Sequence, residues 1–121
     1  MASVGGRGFI GATNVAYAAR KGAVIAMTKT AAQQLGRYNI HVNEICPGIT
    51  FEWMVKKVLE DRAAETGARV EAVREKAATL IPLGRDYEPE DVAGMAVFLA
   101  SSAGRNITGQ AYNVDGGVVP S

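Results

Sequence analysis

Apolar residues recur at steps of three and four along the first third of the chain. This spacing places them on one face of an α-helix. The predicted helix runs from about Val15 to Leu35, and a glycine follows it at a position that favours helix termination. The apolar residues that define its face are Val24, Met27, Ala31 and Leu35.

Two short stretches of apolar and β-branched residues predict β-strands. The first covers Ile40 to Cys46 and is stopped by Pro47 and Gly48. The second covers Gln110 to Val114 and is closed by a pair of glycines. Both are short enough to be buried strands of a mixed α/β fold.

The region between the two predicted strands is helical. Residues 53–80 indicate one or two helices, with Gly67 as a break. Pro89 fits the first turn of a further helix that ends near Ala100, because the amide hydrogen that proline lacks is unpaired in a first turn. A helical connection between two short strands predicts a parallel α/β layer. Two strands are too few for such a sheet, so we expect the chain to be part of a larger α/β fold.

Composition excludes several classes of protein. The chain has 121 residues, 48% of them hydrophobic and 21% charged, which is typical of one globular domain. The formal net charge of +1 argues against nucleic acid or an anionic membrane as the main partner. Cys46 is the single cysteine, and we interpret it as a buried apolar residue. We recognise no signal peptide or transmembrane stretch and expect a cytoplasmic protein.

Residues 6–11 read G-x-G-x-x-G, the spacing of a dinucleotide-binding turn. Such a turn must follow a strand, open a helix and precede, by about 20 residues, an acidic side chain for the ribose. Only five residues precede Gly6, and the first carboxylate of the chain is that of Glu44. We therefore interpret residues 3–14 as a glycine-rich loop and not as a phosphate-binding turn.

Tyr17 and Lys21 are the residues that point to chemistry. They lie four positions apart on the predicted helix, so their side chains leave the same face one turn apart. An ammonium group near a phenol favours the phenolate, which can accept a proton from an alcohol. The same spacing also suits an amphipathic tyrosine that packs against a lysine stem, so the pair alone leaves both interpretations open.

The motifs around this pair identify it. They are Ser3 in a glycine-rich loop, residues 17–24 at the start of the helix, and residues 40–48, 81–85, 89–93 and 107–117. In this order and spacing they resemble the C-terminal half of the short-chain dehydrogenase/reductase family, in its classical branch. The resemblance covers essentially the whole chain, and it extends to polyol dehydrogenases and 3-oxoacyl reductases alike.

The resemblance implies catalytic roles for three residues. Tyr17 is the expected general acid/base. Lys21 is expected to hydrogen-bond the nicotinamide ribose and to favour the phenolate of Tyr17, and Ser3 is expected to hold the substrate oxygen. Ser3 lies one residue farther from Tyr17 than is usual in the family, which implies an insertion of one residue in the intervening loop.

The resemblance also implies contacts with the cofactor and the substrate. Pro47, Gly48, Ile49 and Thr50 match the segment that wraps the nicotinamide end of NAD or NADP. The catalytic tyrosine and lysine are expected to bind the cofactor as well. Trp53 is expected either to line the substrate pocket or to pack within its loop. No metal site is expected, because no cluster of cysteine and histidine has zinc-binding spacing.

The implied fold is the C-terminal portion of a Rossmann-type, doubly wound parallel sheet that lacks the N-terminal βαβ cofactor half. We therefore expect residues 1–121 to form a single partial domain. Its expected segments are an active-site loop (1–14), the catalytic helix (15–36), a strand and cofactor segment (40–50), the substrate loop and helices (51–80), and a C-terminal helix and strand (81–121).

The implied reaction is hydride transfer between NAD or NADP and a secondary alcohol or ketone. Polyol, sugar and 3-oxoacyl substrates are all compatible. We expect activity only when the missing cofactor half completes the chain, and a homo-oligomer in the full-length form. The alternative is an inactive truncated remnant that acts as an oligomerisation or interaction module. Neither nucleic acid nor a membrane is expected as a partner.

Overall fold

Six regular elements build the described part of the fold. The computed structural model describes residues 1–9, 14–48, 53–85 and 88–120. The elements follow one another in the mixed α/β order that the sequence predicts. They are α1 (Val15–Leu35), β1 (Glu44–Pro47), α2 (Trp53–Thr66), α3 (Val70–Ala78), α4 (Pro89–Ala100) and β2 (Ala111–Val114).

The two strands form a parallel pair, which confirms the predicted α/β layer. The Glu44 N–H donates toward β2, to the carbonyl oxygen of Gln110 at 2.9 Å. On the next residue, the Ile45 carbonyl oxygen accepts the N–H of Ala2 at 2.9 Å. Successive residues of a strand direct their backbone groups to opposite sides within the sheet. Ala2 therefore occupies a third position in the sheet, on the side of β1 away from β2.

Each face of the sheet is covered by a helix, as buried parallel strands require. Cys46 is fully buried and packs with Ala2 and Val4 on the face beneath α1. Ile45 lies on the opposite face and packs against Val92 of α4. Neighbouring residues of a strand point to opposite faces, so one small core lies on each side of the sheet. The burial of Cys46 confirms its interpretation as a packing residue.

β1 is shorter than the predicted strand, because the segment before it bonds to the loop that precedes β2. The Gly109 N–H donates to the Val42 carbonyl at 2.8 Å, and the Thr108 hydroxyl accepts the Val42 N–H at 3.0 Å. The side-chain amide of Asn43 both donates to and accepts from the same loop. The predicted strand start at Ile40 is therefore wrong.

Helix α1 has the predicted bounds, but the glycine that follows Leu35 does not terminate it as predicted. The side-chain oxygen of Asn14 caps the start by accepting the Tyr17 N–H at 2.9 Å. Gly36 keeps right-handed helical angles and continues into a short 3₁₀ turn. The left-handed residue that ends this turn is Asn39, at φ 58°, a conformation that asparagine tolerates better than most residues.

The other helices begin and end where local signals predict. Gly67 separates α2 from α3 with a φ of 68°, and most charged side chains of these two helices are exposed. α4 starts at Pro89. The Asp91 carboxylate accepts the Glu88 N–H at 2.9 Å, which satisfies a donor at the helix start and places negative charge near its positive end.

The turn after β2 is held by Asp115. Its buried carboxylate accepts two backbone N–H groups of that turn, at 2.9 and 2.8 Å. Gly116 has a φ of 66°, and a Cβ at this position would lie 2.5 Å from the Cγ2 of Ile81. Two motifs that are distant in the sequence, residues 81–85 and 115–117, therefore pack against each other.

Candidate active site

Tyr17 and Lys21 come together on α1, as their spacing predicts. The Lys21 Nζ lies 5.8 Å from the centroid of the Tyr17 ring. The guanidinium carbon of Arg20 lies 5.6 Å from the same centroid, so two cations flank one ring within the range of cation–π contacts. Tyr17 and Lys21 are both half-buried, which leaves the pair accessible to a small molecule.

Lys21 also reaches the segment that carries Ser3. Its Nζ donates to the Met1 carbonyl oxygen at 3.3 Å. The Ser3 hydroxyl accepts a backbone N–H at 3.1 Å and caps the 3₁₀ turn Val4–Arg7. Ala2 and Val4, the two neighbours of Ser3, pack with Cys46 near the end of β1. Ser3 and Lys21 therefore lie in one region, between α1 and the carboxyl end of β1.

Gly6 explains how closely the turn approaches α1. A Cβ here would lie 2.6 Å from the carbonyl carbon of Lys21 and 2.8 Å from the nitrogen of Gly22. Gly8 ends the turn at a φ of 88°. Gly6 thus permits a close crossing of loop and helix, and Gly8 permits the left-handed end of the turn, which agrees with the loop interpretation of this segment.

The predicted cofactor and substrate residues are described only in part. Pro47 ends β1, and the N–H of the following Gly48 donates to a β2 carbonyl at 3.0 Å. Both lie at the carboxyl edge of the sheet, where open α/β folds bind ligands. Ile49 and Thr50 lie outside the described residues, and Trp53 begins α2 without a described side chain. Their contacts stay predictions.

A buried carboxylate beneath α1, that of Glu44, and a half-buried arginine near it were not predicted. Glu44 is 3% exposed, and neither of its carboxylate oxygens has a hydrogen-bond partner among the described residues. The Arg7 Nη2 donates to the carbonyl of Ala111, the register partner of Glu44. Burial raises the pKa of the Glu44 carboxyl, and the positive charges of the amino terminus, Arg7 and Lys29 only partly offset this rise. In the sequence, the acidic Glu44 within an apolar predicted strand was the feature that could have revealed this site.

Other candidate groups offer little chemistry. Burial raises the pKa of the Cys46 thiol, which disfavours the nucleophilic thiolate. His41 is exposed. Across the described ranges, no three side chains of His, Cys, Asp or Glu gather as a metal site would require. None of the helices in these ranges combines the length and hydropathy needed to span a bilayer.

A cleft of about 530 Å³ opens at the carboxyl end of β2. Its walls combine apolar side chains, such as Leu83 and Met95, with the polar Asn113 and Asp115. The three predicted catalytic residues do not line it. The cleft is therefore separate from the region where Ser3 and Lys21 meet.

Comparison with known proteins decides the family. A family model described as Enoyl-(Acyl carrier protein) reductase matches residues 1–119. The structure of a short chain dehydrogenase family protein from Francisella tularensis is similar with a TM-score of 0.88 and 30% identity, over 97% of this chain and 48% of that one. The chain belongs to the short-chain dehydrogenase/reductase family.

Three short-chain dehydrogenase/reductase relatives show the range of activities among similar sequences. The (3R)-3-hydroxyacyl-CoA dehydrogenase of Rattus norvegicus is 41% identical over 95% of this chain and 39% of its own length. The 3-oxoacyl-[acyl-carrier-protein] reductase of Thermotoga maritima is 43% identical over 96% of this chain and 42% of its own. Galactitol 2-dehydrogenase of Agrobacterium fabrum is 39% identical over 84% of this chain and 40% of its own.

Solved structures of short-chain dehydrogenases/reductases with a bound nicotinamide cofactor are also similar to this chain. Actinorhodin polyketide ketoreductase with NADPH has a TM-score of 0.86 and 33% identity, over 97% of this chain and 44% of that one. The 3-oxoacyl-[acyl-carrier protein] reductase of Brucella melitensis with bound NAD has a TM-score of 0.76 and 30% identity, over 99% and 39%. The chain thus spans less than half the length of these relatives. The match confirms the predicted fold class, a portion of a Rossmann-type sheet.

Proposed function

We propose that this chain carries the proton-transfer part of an NAD- or NADP-dependent oxidoreductase that interconverts a secondary alcohol and a ketone. The observation that supports this most directly is the convergence of Tyr17, Lys21 and the Ser3 turn. The Lys21 ammonium lies beside the Tyr17 ring and bonds the backbone two residues before Ser3. Activity requires completion by a cofactor-binding half.

Each of the three side chains has a separate task in this proposal. Tyr17 accepts the hydroxyl proton of the alcohol, or returns it to the ketone oxygen, as a general base or acid. Lys21 places a positive charge beside that transfer. Ser3 donates its hydroxyl hydrogen to the substrate oxygen while its own oxygen accepts a backbone N–H at 3.1 Å. A hydroxyl can do both at once, since it has one donor and two acceptor positions.

The described residues fit one end of a nicotinamide cofactor. When bound, the nicotinamide supplies or accepts the hydride. An ammonium group has three donors, so Lys21 retains donors for ribose hydroxyls beside its bond to Met1. The half-buried Pro47 and Gly48 lie at the carboxyl edge of the sheet, where open α/β folds bind ligands. Within the described ranges, the glycine-rich turn offers no such match for the phosphate end, because Gly6 packs against α1.

The proposed substrates are small alcohols or ketones of the polyol, sugar or 3-oxoacyl type. The names of the relatives support this range, since they include hydroxyacyl, oxoacyl and galactitol enzymes. A cytoplasmic location and a homo-oligomeric full-length protein remain parts of the same proposal.

The first test asks whether the chain needs a partner half. Isothermal titration of the 121-residue chain with NADH and with NADPH should show no micromolar binding. In a chimera, residues 1–121 would follow the part of the Thermotoga maritima relative that precedes its matched segment. This chimera should bind NADH or NADPH. The chimera should also reduce an oxoacyl thioester. A correctly folded chimera that binds the cofactor but turns over no alcohol or ketone would contradict the proposal.

A second candidate function is an interaction module without catalytic activity of its own. Large apolar side chains on the outer faces of two helices favour it: Met27 on α1 is 63% exposed, and Val97 on α4 is 69% exposed. Exposed apolar surface of this kind drives association. Sedimentation of the chain should then show an oligomer that Val97→Ser dissociates, whereas a monomer at all concentrations would remove this candidate.

A further inference from the structure

The strongest feature outside the proposed catalytic residues is the side chain of Arg7. Arg7 is the last residue of the 3₁₀ turn that Ser3 caps. Its guanidinium extends from that turn to the sheet, where Nη2 donates to the carbonyl of Ala111 in β2. The same guanidinium favours the thiolate of Cys46, which places it near β1 as well. One side chain therefore joins the Ser3 turn to β2 and lies near β1.

Glu44 interacts electrostatically with Arg7. Glu44 is the register partner of Ala111, whose carbonyl Arg7 binds, and the positive charges of the amino terminus, Arg7 and Lys29 all favour its carboxylate. Among the described residues, the Arg7 Nε is a buried donor without an acceptor, and both Glu44 oxygens are buried acceptors without a donor. Buried charges are costly unless an opposite charge compensates them, so the positive charge of Arg7 lowers the cost of burying the Glu44 carboxylate.

We propose that Arg7 is a positioning residue, which, with Glu44 as its counter-charge, fixes the turn that carries Ser3 and hence the place of Ser3 relative to Lys21. The inference rests on the proposed function, because the position of the turn matters for catalysis only if Ser3 and Lys21 serve the reaction. The turn is fixed from two sides. Gly6 contacts the backbone of α1 on one side of the turn, and Arg7 hydrogen-bonds the sheet on the other.

The positioning role is tested by amide hydrogen exchange on the 121-residue chain. The reporters are the N–H groups of Gly5 and Gly6, which donate to the hydroxyl and the carbonyl oxygen of Ser3 at 3.1 and 3.0 Å. In Arg7→Met they should lose at least about tenfold more protection than the amides of α4. The matched control is Val92→Ala, which weakens packing on the opposite face and should expose α4 more than the turn.

The charge pairing is tested by a double-variant cycle in urea. Arg7→Met removes one of the positive charges that offset the buried Glu44 carboxylate, and the added change Glu44→Gln removes that negative charge. The double variant should be more stable than the two single losses predict, by about tenfold or more in the unfolding constant. Arg7→Lys keeps the charge and should retain more stability than Arg7→Met, so it provides the comparison if Arg7→Met does not fold.

Two results would overturn the inference. One is an equal loss of protection in the turn and in α4 for Arg7→Met, which would make Arg7 an ordinary packing residue. The other is strict additivity of the Arg7 and Glu44 substitutions. Both measurements are made without cofactor or substrate, so their failure is distinguishable from a failure of the proposed reaction.

Discussion

Gly6 lies where the turn that carries Ser3 crosses α1, and alanine at this position should force turn and helix apart. The added Cβ would lie 2.6 Å from the carbonyl carbon of Lys21 and 2.8 Å from the nitrogen of Gly22. Carbon atoms in contact normally stand about 3.5–4.0 Å apart, so the turn must move by roughly 1 Å. The atoms it meets belong to a helix backbone, which cannot rotate aside as a side chain would.

The expected loss in the free energy of unfolding for Gly6→Ala is about 1–2 kcal/mol. Overpacking a filled site costs about 1–3 kcal/mol. The smaller conformational entropy of the unfolded chain returns about 0.4–1 kcal/mol. The displaced turn should also stretch the 3.3 Å bond from Lys21 Nζ to the Met1 carbonyl beyond hydrogen-bonding distance.

Urea denaturation followed by circular dichroism measures this loss. Gly36→Ala is the matched control, because a Cβ at Gly36 meets nothing within 4 Å and its backbone is right-handed helical. The control should keep the stability of the chain or raise it by up to about 1 kcal/mol. Equal stability of Gly6→Ala and Gly36→Ala would refute the close crossing of turn and helix.

Other substitutions test separate parts of the structure by urea denaturation. Burial makes the folded chain hold the Glu44 proton more tightly than the unfolded chain does, so the free energy of unfolding should fall as the pH rises above 4.5 through the raised pKa. Glu44→Gln should remove this fall, and an unchanged pH profile would contradict the buried titration. Asp115→Ala should lose about 2–4 kcal/mol, because two backbone N–H groups lose their charged acceptor; a loss below about 0.5 kcal/mol would disprove that anchoring role. Asn14→Ala should lower the free energy of unfolding by about 1 kcal/mol through the lost helix cap. An unchanged free energy of unfolding would contradict this cap.

Features encoded by neighbouring residues could be predicted from the sequence. The apolar spacing from Val24 to Leu35 predicted α1, and Pro89 and Gly67 marked the helix boundaries that the structure shows. The four-residue spacing of Tyr17 and Lys21 predicted their proximity on one helix face. These predictions depend only on the period of a helix and on the angles of single residues, which local sequence determines.

Features that need a distant partner could not be predicted in this way. Val42 and Asn43 looked like strand residues, but they bond the loop before β2, and no local pattern encodes that contact. The glycine spacing around Gly6 suggested a cofactor motif, whereas its packing against α1 depends on the path of the turn. The hydrogen bond from Arg7 to the Ala111 carbonyl likewise joins residues far apart in the chain.

The role of Tyr17 in proton transfer is the claim on which the proposed function depends most. Its direct test is the kcat for alcohol oxidation by the chimera that contains residues 1–121, with and without Tyr17→Phe. Tyr38→Phe is the matched control, since Tyr38 is 60% exposed and its ring lies against Arg37. Tyr17→Phe should lower kcat by about 10²–10⁴-fold, while Tyr38→Phe should leave it unchanged. A Tyr17→Phe chimera that kept most of its kcat would contradict the account.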